Sequence, residues 1–104
     1  MKEDSYSSLI HLARSNQNDP DLSAVQITKK QVMAVQTRIS KTKLKLSREE
    51  RLECLREILG YNKVIHSTWD LSMADAGGLI ELEDADFNAL FSWALMKLSN
   101  GVQI

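Results

Sequence analysis

A chain of 104 residues, 43% hydrophobic and 26% charged, has the size and composition of one globular domain with a modest core. One proline and four glycines are too few turn residues for a β-barrel or sandwich, and the longest apolar runs are too short to span a bilayer. The net charge of −1 hides an asymmetry: 27–63 carry ten Lys/Arg against four Glu, a local +6, while 64–104 carry one Lys against six Asp/Glu, a local −5.

The first predicted helix runs from about Ser5 to Ser15, with Tyr6, Leu9, Ile10 and Ala13 on one face. "NQNDPDLSAVQ" then breaks the pattern, because Asn, Asp and Pro favour turns. It is either a loop or a linker. If a linker, 1–26 form an arm free to dock on a partner, and 27–104 form the helical module. The opening "MKEDSYSSLIHLARS" has neither the apolar core nor the cleavage site of a signal peptide. Cys54 is the single cysteine, so no intrachain disulfide can form. Both features predict a cytoplasmic protein with no membrane partner.

Three further helices each open on a capping box, in which Ser or Thr and an acid or amide three residues on satisfy each other's backbone N–H. The pairs are Thr28 with Gln31, Ser47 with Glu50 and Ser72 with Asp75. The helix from Lys29 carries Val32, Val35 and Ile39 and fades in "SKTKLKL". The helix from Arg48 carries Leu52, Leu55, Ile58 and Leu59, and Gly60 suits its C-terminal stop. Val64, Ile65 and Trp69 are expected to pack beneath the turn that follows, and Ser67 with Asp70 offers a local cap around Trp69. The helix from Met73 carries Met73, Ala76, Leu79, Ile80 and Leu82. Gly77-Gly78 inside it costs roughly 1 kcal/mol per glycine relative to alanine, which implies close approach of another backbone. The last helix, about Asp86 to Ser99, carries Phe87, Leu90, Phe91, Ala94, Leu95 and Leu98 and is expected to end at Asn100-Gly101. The joint "ELEDAD" is either a break or a continuation between these two. No stretch alternates with period two, so the expected fold is all-α, a compact bundle of four or five short helices.

"RLECLREILGYNKVIHSTWDLSMADAGGLIEL" resembles a small helical module found near the C-terminus of many phage and prophage proteins, several of them single-strand-annealing recombination proteins. The matching positions are Arg51, Leu52, Leu59, Gly60, Ile65, Ser67, Asp70, Leu71, Ser72, Asp75, Ala76 and Ile80, with an upstream start at Thr28, Lys29 and Gln31. Two positions depart: Asp75 stands where the family has Glu, and Glu83 stands where the family closes on Leu. The matching positions are helix ends and core positions, which specify a fold and carry no chemistry. The resemblance implies a binding module or accessory protein linked to phage.

No catalytic motif is present. His11, His66 and Cys54 lack metal-ligand spacing, and nothing orients Cys54 as a nucleophile. Glu81, Glu83, Asp84 and Asp86 cluster without the spacing of a cation loop, as acids near a helix start commonly do. No enzyme, metal or cofactor is expected. The candidate nucleic-acid contacts are Lys29, Lys30, Arg38, Lys41, Lys43, Lys45 and Arg48, seven cations with no acid among them. In "SKTKLKLSR" the lysines alternate, so an extended backbone would turn them to one side, where they could meet phosphates. No aromatic lies in the segment, so base stacking is not expected from it. The rival expectation is a protein-interaction surface on the last helix, at Ala89, Trp93 and Met96, taking a host or phage protein. A homodimer pairing the basic middle of one chain with the acidic end of another is a third option.

Overall fold

The computed structural model describes residues 2–19, 21 and 25–102, and the side chains of 6–19, 21 and 25–99. Among these residues it holds five α-helices: α1 Lys2–Ala13, α2 Lys29–Lys41, α3 Arg48–Leu59, α4 Met73–Glu81 and α5 Asp84–Val102. A 3₁₀ turn, Thr68–Asp70, lies between α3 and α4. No strand occurs among the described residues, only an isolated bridge between Gln26 and Ser72. The fold is a small all-α bundle.

Local chemistry sets the helix starts. Both halves of the capping box are made at Thr28/Gln31 and at Ser47/Glu50. A third complete box forms at Ser67/Asp70 and opens the 3₁₀ turn. At Ser72 only one half is made: the serine accepts from the Asp75 N–H, while the Asp75 carboxylate turns into the core. Gly60 ends α3 in the left-handed region at φ 73°. Between α4 and α5, Leu82 is extended and buried, so "ELEDAD" is a true break. The last helix runs on through Asn100-Gly101 to Val102, because glycine weakens a helix without forbidding it.

The core is one cluster. Phe87 and Phe91 stack at 4.9 Å at its centre, among Val35, Ile39, Leu55, Ile58, Leu59, Leu71, Leu79 and Leu90. Helix α3 packs chiefly on α5 and α2 on α4, while α1 touches α3, α4 and α5. Ala13 is fully buried, with Leu9 and Ile10 half-buried beside it. The joint after α1 is a tied loop over its described part; Pro20 and Leu22 to Ala24 lie outside the described residues. Arg14 donates to the carbonyls of Ile58 (2.7 Å) and Glu57 (3.2 Å), capping the C-terminus of α3. Gln17 donates to Leu59 O and to Asp75 Oδ1, each at 2.9 Å.

The close approach implied by Gly77-Gly78 is made by α1. A Cβ on Gly78 would lie 2.2 Å from the Ala13 carbonyl oxygen. Because α1 covers that side, the buried arc of α4 includes Ala74 and Gly78, and Met73 and Ile80 are only half-buried. Of the three residues expected beneath the following turn, Ile65 alone is buried; Val64 and Trp69 are exposed. The 3₁₀ turn points Thr68 inward instead and leaves the indole outside.

Candidate nucleic-acid interface

The basic segment begins at the capped start of α2, where Lys29 and Lys30 are exposed. It continues through Lys41, the last residue of α2, into an irregular turn in which Leu46 N donates to the Leu44 carbonyl across Lys45. Lys41, Lys43 and Lys45 are exposed there, and Thr42, Leu44 and Leu46 are half-buried between them. Leu44 and Leu46 pack on the core, and the turns at Lys43 and Lys45 leave those two side chains in water. Thr42 donates from N and Oγ1 to the Ile39 carbonyl, closing the helix. Lys43 then adopts φ 62°, a left-handed conformation costing roughly 1–2 kcal/mol for an L side chain. A glycine would suit that position, and a lysine occupies it.

Among the described residues, two of the seven cations have partners within the chain. Arg38 is half-buried, donates to the Leu82 carbonyl, lies 3.6 Å from Asp84 and sits 5.7 Å from the Phe87 ring centroid. Its guanidinium therefore clamps the break between α4 and α5. Arg48 is exposed and donates one N–H to the His66 carbonyl, leaving donors free. That bond ties the start of α3 to the 3₁₀ turn.

A groove of about 590 Å³ opens between α2, the start of α3 and this turn. Met33, Gln36, Ser40, Arg48, Arg51 and Trp69 are among its lining residues. Trp69 is 44% exposed and Met33 57%. Asp70 holds the turn in place, accepting from the backbone N–H of His66 at 2.8 Å and of Ser67 at 3.3 Å. The His66 bond, with a smaller part from Ser67, holds the Asp70 carboxyl below its ordinary range. Sequence reasoning left Trp69 to the core and gave Arg51 no role beyond the family pattern. The available signals were the Ser67/Asp70 box, which flips the intervening indole outward, and the i, i+3 spacing of Arg48 and Arg51.

The rival residues separate. Trp93 is half-buried, with its ring 6.4 Å from that of Tyr6 in α1 and Lys97 Nζ 5.7 Å from its centroid. Helix α1 thus covers part of the face that was expected to take a partner. Ala89 is half-buried, and Met96 is 56% exposed. Cys54 is buried, and burial, reinforced by Glu50, Glu53 and Glu57, pushes its thiol up to about 12, opposite to the shift that activates a nucleophile. Among the described residues no group of three His, Cys, Asp or Glu is placed to hold a metal ion, and no helix is long and apolar enough to cross a membrane.

Comparison with protein-family models, with curated proteins and with solved structures finds no match.

Proposed function

We propose that the chain is a small binding module without catalytic activity, and that it contacts nucleic acid through backbone phosphates. The resemblance to phage and prophage modules supports an accessory role of that kind. The observation that carries the reading is the exposure of Lys41, Lys43 and Lys45 around the end of α2, with Thr42, Leu44 and Leu46 half-buried between them. Lys29, Lys30 and Arg48 extend the set, and Arg38 leaves it for Asp84 and the Leu82 carbonyl. Lysines on such a track meet phosphates as point charges and displace counterions, which gives affinity without sequence readout.

The test is a gel-shift series against salt. With about five phosphates engaged on duplex, log K should fall against log salt with a slope of roughly −4.5. Replacing Lys43 and Lys45 by Gln should flatten that slope by about 2. No shift at low salt removes the reading. The exposed Met96 favours a second reading, a protein-interaction module or homodimer. An absent shift together with a light-scattering mass that rises with concentration would favour that alternative.

A further inference from the structure

The groove beside the 3₁₀ turn holds groups that the fold does not use. Trp69 presents an indole to solvent on a turn held by two hydrogen bonds to Asp70. Arg51 Nε is buried without a hydrogen-bond partner among the described residues. A desolvated guanidinium donor lacking an acceptor is costly, and such groups in native proteins call for an explanation. Arg48 lines the same groove and keeps donors free, and no carboxylate lines it among the described residues. The volume of about 590 Å³ falls within the roughly 300–1,000 Å³ of pockets that take small ligands.

We propose that this groove seats one nucleotide of a single-stranded nucleic acid, with the base stacked on Trp69 and the phosphate held by Arg48 and Arg51. The proposal rests on the phosphate-binding reading above and deepens it by naming the strand class. A base reaches an indole face only when it is unpaired, and aromatic platforms beside a cationic track are the general means of holding single strands. The lysine track leads into the groove along the chain, through Lys45 and Leu46 to Arg48, and Leu46 itself lines it. An acidic peptide would satisfy Arg51 but would leave the exposed indole without a stacking partner.

The experiment measures fluorescence-anisotropy affinities for labelled oligo-dT, oligo-rU and a blunt DNA duplex, with a polyglutamate peptide as competitor. The full chain is compared with W69A, W69F, R51Q and the Lys43→Gln/Lys45→Gln variant, and circular dichroism checks each fold. Trp69 is exposed, so W69A tests the stacking even if R51Q fails to fold. W69A should weaken oligo-dT or oligo-rU binding about tenfold or more, with an unchanged salt slope and unchanged duplex binding, and W69F should recover most of the loss. Binding to either single strand supports the seat. Wild-type affinity in W69A, alongside weakened binding in the lysine variant, overturns the seat and leaves the phosphate track standing. Displacement of the oligonucleotide by polyglutamate at matched charge, with W69A equally impaired for both, assigns the groove to acidic peptides instead. No binding of any nucleic acid by the wild type brings down the track and the seat together.

Discussion

Asp75 occupies the position of a helix-capping acid and serves the core instead. Its carboxylate is buried and accepts from the Tyr61 hydroxyl and from Gln17 Nε2, joining α4 to the end of α3 and to the loop after α1. Burial, and then the Asp75 hydrogen bond and charge, push the Tyr61 phenol well above its usual value. The sign follows. A group whose folded pKa is raised contributes stability that is full below its ordinary pKa, about 10 for Tyr, and is lost as pH rises beyond it. The thermal midpoint should therefore fall steeply above about pH 10, and less so in Tyr61→Phe. At pH 7 the same substitution removes one donor from a buried carboxylate and should cost about 1–3 kcal/mol in urea unfolding. A neutral result would show that Gln17 alone suffices for Asp75.

At the scale of elements, the helix starts are local and the helix contacts are not. The boxes at Thr28, Ser47 and Ser67 close within four residues, so they form wherever the chain can reach them. The seating of α1 depends on Gly78, where a Cβ would collide with backbone at Ala13, and backbone has no rotamer to escape into. Gly78→Ala gains about 1 kcal/mol of helix propensity in α4, yet the clash should outweigh it, for a net loss of about 1–3 kcal/mol. A stabilised Gly78→Ala protein, judged by its urea midpoint, would mean that α1 can shift without cost. Arg14 makes such a shift expensive, because it carries hydrogen bonds to the last carbonyls of α3 from beside Gly60.

For the whole molecule, the issue is whether the N-terminal helix belongs to the same cooperative unit as the rest. The radius of gyration is 12.9 Å, close to the roughly 13 Å of a packed chain of this length. Tyr6 and Trp93 give a direct probe, since their rings meet across α1 and α5. In a Trp69→Phe background, Trp93 fluorescence reports α1 docking while far-ultraviolet circular dichroism reports the bundle. The two denaturation curves should coincide, as a single cooperative transition requires. A fluorescence change at lower denaturant would identify α1 as an arm that leaves first. At this scale the charge pattern also takes form: the positive track flanks α2 and the start of α3, and the acids gather at the α4–α5 break, where Arg38 meets Asp84.

Much of the architecture was legible because its signals are short-range. A cap spans three residues, a stripe repeats every three or four, and Gly60 ends its helix by its own freedom at φ 73°. The extended backbone expected for the lysines is not what forms: Lys41 ends α2, Lys43 is left-handed and Lys45 lies in a tight turn, so their exposure comes from the anchoring of Leu44 and Leu46. The groove was not legible. Met33, Arg48, Arg51 and Trp69 come from three separate segments, and an indole in an apolar stretch is expected to be buried. Nor did spacing reveal that Asp75 would forsake its cap, that Arg38 would turn to Leu82 and Asp84, or that α1 would cover Trp93. By itself the sequence determined the helices, the starts of α2, α3 and α4 and the stop at Gly60, because backbone hydrogen bonding and hydrophobic periodicity act over a few residues. Only tertiary packing decided which polar side chains were drawn inward and which aromatic was left outside, because burial is a competition among distant segments for one small core.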